Sequence, residues 1–286
     1  MKRIVFGILL LLCVPAIAKI NTIVSIAPQK GMVEMIGGEL VHVTLMVPSG
    51  SSPHSYEPKP SQMNDVNNAE LYFSIGVEFE EAWIGRFSNQ NKSMKIIDVA
   101  SGIEKIEMVE HAKDEGHDHD HDHEGADPHV WTAPSNIKII GKNIYESLIQ
   151  TDPKNSAIYA KNYEAFLIKV EELENRLKEI LKDIPPETKF MVFHPSWGYF
   201  AKEYNFIQWA LEVEGKEPKP KTLTKIIKEA KENRVKVIFA QPEFSDKSTR
   251  LIAEELSIEV IKISPLSEDW YGSLIDLAEG IAKSNH

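Results

Sequence analysis

The chain is almost without cysteine, because Cys13 is the only one among its 286 residues. Cys13 lies within an N-terminal leader, so we expect the exported protein to have no thiol. Disulfides, thiolate metal ligands and a cysteine nucleophile are therefore excluded. Any metal site in this chain has to use histidine and carboxylate side chains.

The N-terminus also lacks an apolar run long enough to span a bilayer, which takes about 20 residues. Ile4–Val14 is apolar but short, follows a basic start, and precedes the small-x-small pattern Ala16-Ile17-Ala18. This pattern predicts a signal peptide, residues 1–18, cleaved after Ala18, and a periplasmic location. Leu12 stands before Cys13 where a small residue would precede a lipid-modified cysteine, so we do not expect a lipid anchor.

Positive charge is in short supply as well. The formal charge is −11 at pH 7, and it becomes −13 when Lys2 and Arg3 leave with the leader. Such an acidic chain is a poor partner for nucleic acid or for an anionic membrane surface, and it suits cations better. The length allows one large or two medium domains with proper cores.

Short apolar segments alternate with helical patterns in both halves of the chain, which predicts an α/β fold with parallel sheets. Between the halves, apolar residues recur at spacings of three and four from Asn155 to Ile184, which predicts one amphipathic helix of about 40 Å. We therefore predict two lobes joined by that helix. The predicted ranges are an N-terminal lobe at 19–153, a linking helix at 154–184 and a C-terminal lobe at 185–286.

Three histidines stand far apart along the sequence, each in a loop that contains proline or tryptophan. They are His54 in Pro53-His54-Ser55, His129 in Asp127–Trp131 and His194 in Phe193–Trp197. His54 and His194 follow predicted strands, and ligands bind beyond strand ends in open parallel sheets. Each histidine alone would be read as a surface or structural residue. Together they predict one shared site for a borderline metal such as zinc, between the lobes.

A further group of histidines alternates with acids within residues 116–124. The segment is polar and poor in core residues, so we expect a surface loop at about 111–124. Its flexible nitrogen and oxygen donors predict weak auxiliary metal sites that exchange ions rapidly; the alternative is an acidic linker without a metal role. These histidines are His117, His119, His121 and His123.

Several segments together resemble the receptors of zinc/manganese ABC importers, the cluster 9 (A-I) solute-binding proteins. The matching segments are Ser25–Pro28, Ile36–Glu39, Val47–Pro58, Ala69–Phe73, Glu78–Glu80, Asp127–Trp131 and Phe193–Phe200. The resemblance implies a mainly parallel four-stranded sheet in each lobe, a rigid linking helix and a metal ion in the cleft. It also implies that His54, His129 and His194 are the ligands.

One departure from the family concerns the fourth ligand. Relatives commonly have a carboxylate just after the last strand, where this chain has Ser264. A serine hydroxyl is a weak zinc ligand, so the fourth donor is left open between water and a nearby carboxylate. The candidate carboxylates are Glu268, Glu243 and Asp269, with Glu57 more remote. Three imidazoles without the expected oxygen favour zinc over manganese, and the histidine-rich segment favours the same metal.

The resemblance implies a monomeric, non-enzymatic protein that captures zinc as cargo and delivers it to the membrane permease of a zinc ABC importer. A periplasmic zinc chaperone is a second candidate partner. Within the same family, the alternative is a receptor for manganese or another divalent metal. From other classes, the alternatives are a zinc-dependent hydrolase, because three histidines with an open position also describe catalytic zinc, and an adhesin or metal chaperone.

Overall fold

The computed structural model describes residues 19–108, 125–212 and 216–285, and these form two four-stranded sheets. Every strand pairing within them is parallel. The strand orders are β2-β1-β3-β4 and β6-β5-β7-β8. The strands are β1 (Ile20–Val24), β2 (Val41–Leu45), β3 (Leu71–Ser74), β4 (Lys95–Asp98), β5 (Lys189–Val192), β6 (Ile207–Ala210), β7 (Val237–Ala240) and β8 (Glu259–Lys262).

Helices flank both sheets, so the predicted α/β class with two lobes is confirmed. Prolines in the first turn open several helices, where their fixed φ is favourable and their missing N–H costs nothing. The described helices are α1 (Ala27–Gly37), α2 (Pro60–Asn68), α3 (Glu78–Gln90), α4 (Pro134–Thr151), α5 (Ser156–Leu181), α6 (Gly198–Tyr204), α7 (Pro220–Glu232), α8 (Lys247–Leu256) and α9 (Trp270–Asn285).

Helix α5 joins the lobes and is about 39 Å long at 1.5 Å per residue. It has 26 residues and begins and ends inside the range expected from the sequence. A 3₁₀ turn at Pro153–Asn155 precedes it, and a turn that pairs the Ile184 N–H with the Leu181 carbonyl follows it. The helix packs against α1 and α4 from the first half of the chain and against α9 from the second half.

The segment Ile20–Pro28 is mostly apolar and predicts one buried strand, but strand β1 ends at Val24. The reason is a side chain: Gln29 Oε1 accepts hydrogen bonds from the backbone N–H groups of Ser25 (3.0 Å) and Ile26 (3.1 Å). Those contacts turn the chain into α1 directly after the strand. The turn leaves the carboxyl ends of the strands free to form the edge on which the site lies.

One hydrophobic core runs through both lobes and includes Trp131, Phe166 and Trp270. A smaller cluster, which includes Ile226 of α7 and Ile252 of α8, lies in the C-terminal lobe. Among the described residues, none of the helices combines the length and the apolar character needed to cross a membrane.

Candidate metal centre

The structure brings the three predicted histidines together. His54 lies in the turns after β2, His129 just before a 3₁₀ turn at Val130–Thr132, and His194 directly after β5. The ring centroid of His194 is 4.8 Å from that of His54 and 5.0 Å from that of His129. The Nε2 atoms of His54 and His194 are 3.3 Å apart. Residues from both lobes therefore meet at one point in the cleft.

Each of the three imidazoles has a carboxylate at its Nδ1 atom. The pairs are His54 with Glu78 Oε1 (3.2 Å), His129 with Asp127 Oδ1 (2.8 Å) and His194 with Glu212 Oε1 (2.8 Å). A neutral ring that donates its Nδ1–H to a carboxylate keeps its Nε2 lone pair for another partner. Metal-binding histidines almost always have such a hydrogen-bond partner, which fixes the tautomer and the ring orientation.

Sequence reasoning missed two of these carboxylates as functional residues. Glu78 is the first residue of α3, and Glu212 follows β6. Both come just after the carboxyl end of a strand, which is the one signal in the sequence that could have found them. A further missed residue is Gln241, after β7, whose Oε1 accepts the backbone N–H of His194 at 2.7 Å. The segments that follow the strands thus supply His54 and His194 as well as the side chains that hydrogen-bond to these two histidines.

The environments of His54 and His194 move their pKa values in opposite directions. Burial lowers the pKa of His54, but the hydrogen bond and charge of Glu78 outweigh that effect and the net pKa is raised. For His194, burial lowers the pKa and the Glu212 carboxylate does not compensate, so the net pKa is lowered. The pKa of Glu78 falls to about 2, because its contact with His54 outweighs the burial that would raise it.

A small cavity lies between the rings, with a volume of about 20 Å³. A water molecule needs about 10–15 Å³, so the space suits a single ion or water and excludes an organic molecule. The three histidines line it together with Glu78 and Glu243, and Trp131, Phe244 and Leu266 supply apolar walls. Apolar walls limit solvent access and strengthen electrostatic interactions inside.

The two tryptophans that follow His129 and His194 in the sequence occupy different positions. The Trp131 ring lies 5.3 Å from His129 and lines the cavity, and its Nε1–H donates to the Pro265 carbonyl at 2.7 Å. Trp197 is fully buried and packs toward Phe239 of β7, so its place is in the core.

The candidate carboxylates for a fourth ligand also differ in position. Glu243 lines the cavity, and its Oε1 accepts a hydrogen bond from the Ser264 hydroxyl. Burial raises the pKa of Glu243, partly offset by that hydrogen bond. Glu268 instead forms an ion pair with Lys30 at 2.8 Å and is not a lining residue, and Glu57 is exposed.

Across residues 19–108, 125–212 and 216–285, no group of three His, Cys, Asp or Glu side chains is arranged so that it could hold a metal ion. The contacts described above are pairwise, and the assignment of ligands is made below as a proposal. The four histidines expected to form auxiliary sites fall within residues 109–124, outside the described residues.

Two α/β lobes, one connecting helix and an ion-sized cavity between the lobes define a solute-binding protein. Comparison with known families gives the specific assignment. The family described as "ZnuA: Zinc-uptake complex component A periplasmic" matches residues 23–283, and the chain belongs to this family.

Individual relatives agree with that membership. A crystal structure of ZnuA is 40% identical, covers 94% of this chain and 100% of its own, and superposes with a TM-score of 0.85. A zinc-bound deletion mutant of ZnuA is also 40% identical, covers 93% of this chain and 98% of its own, and has a TM-score of 0.83. The manganese ABC transporter substrate-binding lipoprotein scaA of Streptococcus gordonii is 26% identical over 93% of this chain and 90% of its own.

The family consists of solute-binding proteins of metal ABC transporters, which are exported and work with a membrane permease. These proteins are not enzymes, so the hydrolase alternative is set aside. The named relatives include both zinc and manganese proteins, so membership establishes a divalent metal as the cargo without choosing between the two.

Proposed function

We propose that this protein captures zinc in the periplasm at His54, His129 and His194 and delivers it to the permease of a zinc ABC importer. The spacing of 3.3 Å between the Nε2 atoms of His54 and His194 carries the proposal. Two nitrogens on one tetrahedral zinc, with Zn–N of about 2.0–2.1 Å, lie about 3.3–3.4 Å apart. His129 is supported as the third ligand because its ring centroid is 5.0 Å from that of His194 and because it lines the same cavity.

Capture of zinc depends on the carboxylates that hydrogen-bond to the Nδ1 atoms of the three histidines. Each carboxylate holds its imidazole by Nδ1, raises the basicity of the ring and offsets part of the charge of the ion. The small cavity and its apolar walls keep bulk water from competing for the ion. Binding of zinc displaces protons from the rings, because only a neutral imidazole can be a ligand.

Delivery of zinc depends on the fact that the proposed ligands come from both lobes. His54 and His129 belong to the N-terminal part and His194 follows β5 in the C-terminal sheet. Any displacement of one lobe against the other therefore separates the ligands and weakens the site. A permease that binds both lobes can release the ion by imposing such a displacement, without any chemical step.

The donor set favours zinc over manganese. Imidazole nitrogens suit zinc, copper and nickel, whereas manganese prefers oxygen donors and is the weakest binder in the series of divalent first-row metals. A manganese receptor is the second candidate, because relatives such as scaA are named for manganese and because Glu78 and Glu243 bring oxygen atoms to the cavity.

The proposal is tested by titrating the exported chain, residues 19–286, with zinc and with manganese against a competing chelator. His54→Ala, His129→Ala and His194→Ala should each lose more affinity for zinc than the roughly 10–100-fold caused by losing a hydrogen-bond partner of a ligand. His42→Ala, an exposed histidine on β2, is the matched control and should bind like the wild type. Unchanged zinc affinity in all three variants would refute the site, and tighter binding of manganese than of zinc would select the second candidate.

A further inference from the structure

The two carboxylate oxygens of Glu243 differ in their hydrogen bonding. Its Oε1 accepts a hydrogen bond from Ser264, whereas its Oε2 is buried and has no hydrogen-bond partner within the described residues. A buried carboxylate oxygen without a partner is unfavourable, typically by 1–3 kcal/mol or more relative to a satisfied one. Such an atom in a native site needs an explanation, and an ion in the adjoining cavity is one.

The position of Ser264 explains how Glu243 is held. The hydroxyl of Ser264 donates its only proton to Glu243 Oε1 and accepts the N–H of Leu266 at 3.0 Å. The serine carbonyl in turn accepts the Ser273 hydroxyl at 2.7 Å. Hydrogen bonds from Leu266 and Ser273 therefore hold Ser264 in place, and its hydroxyl positions the Glu243 carboxylate. Ser264 is not among the residues that line the cavity.

The other carboxylates near the rings are committed to different partners. Glu78 and Glu212 contact the Nδ1 atoms of His54 and His194, on the side of each ring away from Nε2. Glu268 is paired with Lys30. Among the described residues that line the cavity, Glu243 is the carboxylate without a histidine or lysine partner.

We infer that Glu243 supplies the fourth donor to the bound zinc through Oε2 and that Ser264 is the residue that positions it. The inference rests on the proposed function, because it presupposes the three-histidine site. Three nitrogens and one carboxylate oxygen complete a tetrahedral zinc sphere, as in sites that hold the metal without an open position. The carboxylate that relatives have after the last strand is thereby replaced by one that follows β7.

The experiment compares the wild type with Glu243→Gln, Ser264→Ala and the double variant, with Glu268→Gln as the matched control. Glu243→Gln should weaken zinc binding by at least about tenfold and still bind one ion, because three imidazoles remain. Ser264→Ala should cause a smaller loss, and the double variant should bind no more weakly than Glu243→Gln, since the serine acts only through the carboxylate. Glu268→Gln should match the wild type.

A second readout does not depend on affinity or on the stability of a variant. Infrared difference spectra of the wild type should contain a zinc-induced carboxylate shift that is missing from the spectra of Glu243→Gln, in addition to the shifts that both proteins share. Identical zinc-induced carboxylate shifts in wild type and Glu243→Gln, or equal zinc affinity of the two proteins, would overturn the inference and leave the three-histidine site intact. Loss of the three-histidine site itself is detected separately, by the histidine variants above.

Discussion

The indole nitrogen of Trp131 donates a hydrogen bond to the carbonyl oxygen of Pro265 at 2.7 Å, across 134 positions of the sequence. Both residues are buried. The contact ties the segment that follows His129 to the loop that carries Ser264. The geometry on one side of the cavity therefore depends on a segment distant in sequence on the other side.

Replacement of Trp131 by phenylalanine removes this hydrogen bond and keeps an aromatic ring. The buried Pro265 carbonyl then lacks a donor, and we expect a loss of about 1–3 kcal/mol in the free energy of unfolding. Urea unfolding of the metal-free protein measures it. Trp83→Phe, at a partly exposed tryptophan that stacks on Phe79 and Phe87, is the control and should cost less than about 1 kcal/mol. Equal stabilities of the two variants would contradict the role of the contact.

Zinc affinity should fall on acidification, and protonation of His54 should set the pH at which the affinity begins to fall. Its pKa is raised above 6.5, so its proton competes with zinc already above that pH, whereas the lowered pKa of His194 keeps that ring neutral further into acid. Each competing proton costs about tenfold in affinity per pH unit. Zinc titrations between pH 8 and about pH 5.5 measure this slope.

Glu78→Gln is the variant that tests the origin of this pH dependence. The amide oxygen can still accept from His54 Nδ1, but the negative charge that raises the pKa of His54 is gone. The acid limb of the zinc-binding curve should therefore move to lower pH, while affinity at neutral pH falls by about 10–100-fold. An acid limb at the wild-type pH would show that Glu78 does not control the protonation of His54.

Stability should depend on pH through Glu80, a buried residue of α3. Burial raises the pKa of Glu80 to about 7, despite hydrogen bonds to the carboxylate from Ser25 and from the N–H groups of Ile75 and Gly76. Because the folded state holds this proton more tightly than the unfolded chain, where the pKa is 4.5, its contribution is full below pH 4.5 and is lost as the pH rises through about 7.

The matching variant is Glu80→Gln, which keeps an uncharged group of the same shape at every pH. The difference in unfolding free energy between wild type and variant should change by on the order of 3 kcal/mol between pH 4.5 and pH 8. Urea denaturation with a metal chelator present measures it across this range. A difference that stays constant with pH would mean that folding does not raise the pKa of Glu80.

The packing of α4 on α5 requires glycine at position 141. A Cβ atom there would lie 2.2 Å from Cε1 of Phe166, whose ring is buried and packs against Trp270. Gly141→Ala should destabilise the protein by about 1–3 kcal/mol, since the buried Phe166 ring has to shift to admit the new Cβ. Gly85→Ala, at an exposed helical position of α3 with no atom within 4 Å of the new Cβ, should instead stabilise by up to about 1 kcal/mol. Thermal unfolding of both variants distinguishes these outcomes by sign.

Deletion of residues 116–124 should lower the number of zinc ions bound while leaving one tight site. The sequence of this segment offers many weak donors but no core residues, so its ions should exchange rapidly and bind independently of the cleft. Zinc stoichiometry by elemental analysis, together with competition titration, gives both quantities. Loss of the tight site together with the segment would show that high-affinity binding depends on the histidines of the segment and not on those of the cleft alone.

Much of the architecture could be predicted because it depends on local patterns. Alternating strands and helices indicate parallel sheets, and the apolar stripe from Tyr159 to Leu181 is visible as a helical period within one segment. Boundaries were less accurate where a side chain decides them, as with Gln29 at the start of α1. The three histidines could be selected because each has a distinctive flanking sequence.

The partners of those histidines could not be predicted in the same way. Glu78 and Glu212 resemble many other acids in an acidic chain, and only the fold shows that they lie behind His54 and His194. The same holds for Glu243 and Glu268, which were equal candidates in the sequence. One lines the cavity, whereas the other is bound to Lys30.

The sequence by itself determined the α/β class and the long helix, since these depend on residue type and on spacing within single segments. The tertiary structure alone decided which carboxylates support the rings, how large the cavity is and which loops are tied together. Those features depend on distances between segments that are far apart in the chain, and such distances are set by packing of the whole core.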